Sequence, residues 1–349
     1  MLKGKYGVAV VLTLLATSAM ASNFRVADQV YLPAAGHFTG PKGETWVSDV
    51  WLSNVNNEAI DVSVIFSSGS TGQIQNFSKQ FTLAANEHRE VPDFISAAQS
   101  AGGLGLPSGT SGQLVFNGCK SGGNCDVNTC PNGTTTGVCP DFRNLSVESR
   151  VYAIPAGGSA STSSTYGQLF SGIPWYNFVS TNAASAGLDK VFITGLRNTG
   201  TDGTNGTFRT NIGLVNASQY STTQLLVKLF DKNGNQIDTF TSDTLGPLGV
   251  VTPRSVATMF TKFPTAATST GAYVTVEQIS VLPTTDAAAA GCNDGCPSFL
   301  AYGSLIDNGS EDPTTLESQY MLPLTDTALQ CIYNLNCKST LKLHRSVQH

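Results

Sequence analysis

The 349-residue sequence predicts an all-β protein, two tandem antiparallel β-sandwich repeats of Ig-like or jelly-roll-like form with disulfide-bearing loops. Three observations carry that prediction. Short segments rich in Val, Ile, Phe, Tyr and Thr alternate apolar and polar positions, the period of a half-buried strand. Gly, Asn and Ser punctuate them, as turns require. The segments then recur in the same order further along the chain.

Val30-Tyr31-Leu32-Pro33 opens the first unit and Val191-Phe192-Ile193-Thr194 the second. Trp46–Asn54 matches Phe208–Asn216 position by position, each a period-two strand ending at Asn. Ile60–Phe66 and Leu225–Phe230 follow, then Phe77–Leu83 and Gln236–Phe240, the latter after the Asp231-Lys232-Asn233-Gly234 hairpin turn, where Asn-Gly tolerates positive φ. Ser111–Phe116 corresponds to Thr270–Thr275, each leading into a cysteine-bearing loop, and Leu145–Tyr152 to Phe299–Ile306. The copies close at Ile173-Pro174 and Leu322-Pro323. Only Val91–Gln99 and Arg254–Phe263 read as short helical connections.

Lys3 and Lys5, an apolar run from Val8 to Leu15 and the small residues Ala19 and Ala21 predict a signal peptide over 1–21, with the mature chain starting at Ser22. The run is too short for a bilayer, which takes roughly 20 residues, so no membrane insertion is expected after its removal. The expected product is secreted or cell-surface, periplasmic or extracellular. Residues 22–185 form repeat 1, 186–325 repeat 2 and 326–349 a tail with a cysteine pair, and each half is expected to fold alone across the Ser180–Gly187 linker. Eight cysteines suit an oxidising compartment. Cys119, Cys125, Cys130 and Cys139 are expected to pair among themselves, Cys292 with Cys296, and Cys331 with Cys337, because no CxxC spacing supports zinc.

A net charge of −5, with only 12% charged residues and no basic cluster, excludes a nucleic-acid partner. The sequence has no GxSxG elbow, HExxH helix or GxxxxGK loop, and His37, His88, His344 and His349 read as scattered, solvated residues. No cofactor is expected, apart from calcium on the oxygen-rich segment Asp307, Asn308, Ser310, Glu311 and Asp312, for which a tight exposed turn is the alternative reading. The Asp231–Asp238 run lacks the Gly and Glu of an EF-hand and reads as the hairpin turn. Six Asn-x-Ser/Thr triplets, the first at Asn76, follow from composition and carry no functional weight.

Strand parity makes Trp51 informative. Trp46, Val50 and Leu52 match the apolar face Phe208, Ile212 and Leu214, so Trp51, matched to Gly213, projects from the opposite face. There it could stack on a sugar or dock a protein, or pack against the neighbouring repeat or the Cys119–Cys139 loop. Trp175 is the second aromatic candidate for the floor of a binding cleft.

Phe208–Asn216, Leu225–Gln236 and Ala301–Ser310 resemble a repeat common in secreted bacterial proteins of unassigned function. More distantly, the opening strand ending in Pro, the strand ending in Asn and the late Ser-Leu-Ile strand are similar to the sensory rhodopsin transducer family, a small β-sandwich. The resemblance implies fold and compartment. The expected function is a non-catalytic secreted or cell-surface protein with a structural or recognition role toward a protein or glycan. The alternative is a carbohydrate-binding module or a glycoside hydrolase using paired carboxylates.

Overall fold

The computed structural model describes residues 26–123, 141–160, 164–175, 190–200, 203–263, 271–283 and 299–320. The signal segment, the tail and every cysteine except Cys119 lie outside these residues, and Cys119 itself is not a free thiol. Cys119 sits near the end of a strand, opposite Asp61.

Among the described residues nine strands build the first copy. Sheet A contains β2 (Thr45–Asn54), β5 (His88–Val91), β7 (Leu145–Ile154) and β8 (Tyr166–Ser171); sheet B contains β1 (Gln29–Thr39), β3 (Ile60–Ser68), β4 (Gln73–Leu83), β6 (Thr110–Lys120) and β9 (Ile173–Pro174). Sheet B runs β4-β3-β6-β1-β9, and in sheet A β2 lies between β5 and β7, with β8 beyond β7. The end of β1 crosses from B to pair with the start of β2. The second copy repeats the plan. Sheet C contains β11 (Phe208–Asn216), β14 (Val250–Ser255), β16 (Phe299–Asp307) and β17 (Pro313–Glu317); sheet D contains β10 (Lys190–Leu196), β12 (Ser221–Phe230), β13 (Gln236–Thr241), β15 (Ala272–Pro283) and β18 (Gln319–Tyr320). Every pairing is antiparallel.

Alternation makes these sandwiches. Along β3 and β12 every second side chain is buried, and Val62, Val64 and Phe66, like Leu225, Val227 and Leu229, face the opposing sheet. The duplication extends to irregular details. β1 slips register between Leu32 and Ala35, and β10 slips at the matching place between Ile193 and Leu196, where Gly195 takes a φ of 79°. The terminal Asn of the second strand is an amide clasp in both copies. Asn54 Nδ2 donates to the carbonyls of Glu58, Leu83 and Ala84; Asn216 Nδ2 donates to those of Ser221, Leu245 and Gly246. A buried amide that satisfies three loop carbonyls is a reason for both strands to end at this residue type.

Two sequence expectations are corrected, and a third, the close of the second copy at Leu322-Pro323, lies outside the described residues; within them Tyr320 of β18 stands opposite Val191 as Pro174 stands opposite Val30. Val91–Gln99 is a chain of turns, because Asp93 adopts a φ of 46° and Phe94 N is tied to Ser48 O, leaving only a single 3₁₀ turn at Gln99–Ala101. Arg254 belongs to β14, and the helix there is one turn, α1 (Val256–Met259), capped by Ser255 Oγ accepting from Ala257 N.

The copies are stacked. Tyr31, Gln113, Val115 and Ser67 on the outer side of sheet B are fully buried, and so are Val215, Leu300 and Leu248 on the outer side of sheet C. They join one continuous apolar cluster with the core of the first sandwich. Ser67 Oγ and Gln113 Nε2 both donate to Leu248 O, at 2.7 and 2.8 Å, and Gln113 reaches Asn216 O as well. At the rim Phe170 and Tyr302 meet edge to face with centroids 5.2 Å apart, while Lys42 pairs with Glu311 at 2.8 Å. The layer order is therefore A, B, C, D, with β8 of sheet A also reaching sheet C at the edge, where Thr315 Oγ1 donates to Leu169 O, and the halves expected to be independent share a buried interface.

Candidate functional site

The outer side of sheet A combines a half-buried aromatic with several ionisable groups. Paired residues on neighbouring strands point to the same face. Glu90 of β5, Trp51 of β2, Glu148 of β7 and Ser171 of β8 form one row; Asp49, Arg150 and Leu169 form the next; Val47, Tyr152 and Gly167 the third. Val50 and Leu52 are buried in the core while Trp51 is half-buried on the other side, as parity required. No described element packs over it.

Charges on this face are arranged by hydrogen bonds from one turn. Asp49 Oδ1 accepts from the backbone N of Asp93 at 2.8 Å and from Tyr152 Oη at 3.3 Å. Asp93 in turn holds His37, whose Nδ1 lies 2.9 Å from both carboxylate oxygens. Burial, reinforced by Glu90, pushes the Asp49 carboxyl above the usual range against the pull of its hydrogen bonds. Burial and the adjacent Asp49 push the Tyr152 phenol up to about 12. Arg150 lies 4.6 Å from the centre of the Tyr152 ring and donates to Thr165 Oγ1, so its charge is turned away from the Trp51 row. Among the described residues neither Glu90 nor Glu148 has a cationic partner.

His37 is thus a strand residue with its side chain 19% exposed, not a solvated loop histidine. Among the described residues no hydroxyl or thiol bonds its ring, so the His37–Asp93 pair lacks a nucleophile. His88 is exposed and bonded to Ser53 Oγ.

Trp175 is a core residue, 3% exposed, and its Nε1 donates to Asp28 Oδ1 at 2.8 Å; it offers no ring face to a ligand. The calcium candidates are not brought together. Asp307 Oδ1 caps its own turn by accepting from Gly309 N and Ser310 N, which lowers its pKa. Asn308 is buried with its amide bonded to Arg209, Gly200 and Thr207, Glu311 faces Lys42 and Arg209, and Asp312 accepts from Gly167 N. Ser310 Oγ accepts from Asp312 N. Among the described residues no three His, Cys, Asp or Glu are placed to hold a metal. The oxygens of this segment make a turn and a clamp between the copies.

Glu148 and Arg150 were within reach of the parity reasoning that found Trp51, since they alternate with the buried Val147, Ser149 and Val151. Asp93 and His37 were not, because only folding brings the turn after β5 beside β1.

No protein-family model matches the chain, and no curated protein matches it. Among solved structures, the chain aligns with Bacteroides uniformis beta-glucuronidase 2 bound to cyclophellitol-6-carboxylate aziridine, at a TM-score of 0.15 and 10% identity, and with a second structure of a Bacteroides uniformis beta-glucuronidase at 0.16 and 10%. Both alignments cover 84% of this chain and 25% of the other, so the chain spans a quarter of those proteins' length. A likeness this low contributes nothing to the assignment of fold or activity.

Proposed function

We propose that this is an exported, non-catalytic protein whose stacked sandwiches act as a rigid scaffold and whose recognition surface is the outer side of sheet A. The observation that carries the reading is Trp51 standing between Glu90 and Glu148 on a sheet face over which no described element is laid. An indole supplies a flat apolar platform, and two carboxylates with no cationic partner among the described residues supply hydrogen-bond acceptors and negative potential beside it. Export rests on the signal-like residues 1–21 and is checked by amino-terminal sequencing of the released protein, which should begin at Ser22. Among the described residues no helix is long and apolar enough to cross a membrane.

A second reading, a carbohydrate-active protein, draws on the same row, since paired carboxylates beside an aromatic floor are what glycan binding or hydrolysis uses. Affinity electrophoresis through soluble polysaccharides, with reducing-sugar release measured in parallel, separates the two. The scaffold reading expects no sugar release from any polysaccharide. Release that disappears in Glu148→Gln would make the protein a hydrolase, and retardation abolished by Trp51→Ala without release would make it a sugar-binding module.

A further inference from the structure

The stack A, B, C, D is built from one repeated unit, so its two end faces, over which no described element lies, are counterparts of the two faces already joined inside it. The outer side of A corresponds to that of C, and the outer side of D to that of B. Register fixes the equivalences. Phe192, Tyr273, Phe230 and Lys228 on D occupy the positions of Tyr31, Gln113, Ser67 and Ile65 on B. The first three of those B residues are fully buried by the second copy, and Ile65 packs against the same cluster.

On D these positions carry large aromatics. Phe230 and Tyr273 stack at 5.0 Å with their planes 7° apart, and Phe192 continues the stack at 6.2 Å from Tyr273. All three are half-buried, yet no described element lies over them. A contiguous aromatic stripe on an outer sheet face marks an interaction surface. Lys228 pairs with Glu277, and Lys190 stands opposite Glu277 in register, so two basic residues flank one acidic residue there. Face A has the reverse balance, with Asp49, Glu90 and Glu148 against Arg150.

We propose that the protein associates with further copies of itself head to tail, the outer side of sheet A of one molecule seated on the outer side of sheet D of the next, continuing the B-on-C stacking within each chain. This rests on the reading of face A as a recognition surface and names its partner. The contact is heterologous, joining two different patches, so each addition leaves one A face and one D face free and growth is open-ended. Aromatic rings on both faces supply apolar area, and the opposed charges fix which face meets which.

Sedimentation velocity of the full exported chain over a wide concentration range tests this, beside a face-A variant, Glu90→Arg with Glu148→Arg, and a face-D variant, Tyr273→Ala with Lys228→Glu. The wild type should give a size distribution that grows beyond a dimer with concentration and shrinks with added salt. Each variant alone should associate at least about tenfold more weakly, while an equimolar mixture should form a one-to-one complex and stop there, because only one competent A face and one competent D face remain. Circular dichroism melts confirm that the variants are folded; if the face-D variant is not, Phe230→Ser replaces it. A wild type that stays monomeric at every concentration, or a dimer untouched by either variant, overturns the proposal. The face-D variant leaves Trp51 in place, so a ligand found for face A that this variant still binds would preserve the recognition reading while self-association fails.

Discussion

Sheets A and C are the same sheet in two settings, and their outer faces diverge where their inner faces agree. Inside, Val50 and Leu52 match Ile212 and Leu214, and all four are fully buried. Outside, Trp51 and Glu148 in the first copy stand where Gly213 and Tyr302 stand in the second. Gly213 has no Cβ, and one placed there would run into the Tyr302 ring, so the glycine is what lets Tyr302 lie flat and receive the first copy. Asn86 and Leu248 tell the same story. Both hold positive φ, 56° and 51°, at matching corners after the fourth strand, but Asn86 is exposed whereas Leu248 is buried under Ser67 and Gln113. A left-handed backbone suits Asn better than Leu, and the second copy tolerates the strain because the side chain fills an interface. Duplication thus kept the core and let one face become a joint, while no described element covers the other.

The largest test of that contrast substitutes the same position twice. Tyr302→Ala should cost about 3–5 kcal/mol through the cavity it leaves between the copies, whereas Glu148→Ala should stay within about 0.5 kcal/mol. Chemical denaturation measures both, and equal effects would mean that face A is not open. Next in size, Gly213→Ala should destabilise by about 1–3 kcal/mol because the Tyr302 ring must shift; a neutral result would remove the close approach as the reason for glycine.

Asn54→Ala and Asn216→Ala sharpen the comparison from the conserved side. Each strands the same set of loop carbonyls, so both should cost about 1–3 kcal/mol and differ little from one another. The smallest effect is one of pH. Asp49 has a folded-state pKa raised by burial, so its ionisation opposes folding: the cost is absent while the group is protonated in both states and grows as pH rises above about 4, the ordinary carboxylate value. Asp49→Asn keeps an acceptor for Asp93 N and should be slightly more stable than wild type at pH 7, with the gap closing at acidic pH. Thermal melts across that window would show the trend, and a gap that widened on acidification would reverse the assignment.

Alternating segments, their order and their repetition were legible because strand parity is local: Trp51 could be placed on the outer side from the pattern Val50, Trp51, Leu52 alone. The Asn that ends both second strands was visible as a letter, though not as a clasp, since its three acceptors come from two different loops. Composition alone made Asp307–Asp312 read as an oxygen-rich loop. Folding distributed those oxygens among a turn, Arg209, Lys42 and Gly167.

The sequence by itself determined the all-β class, the duplicated strand order and which side of each strand carries its apolar residues, because each depends on residues close together in the chain. Tertiary structure alone decided that sheet C lies on sheet B, that Trp175 belongs to the core, and that His37 meets Asp93 beside Asp49. A strand with two apolar sides looks the same whether a loop, another sheet or a second molecule covers it. Only the packing of distant segments says which, and among the described residues it leaves faces A and D at the ends of the stack.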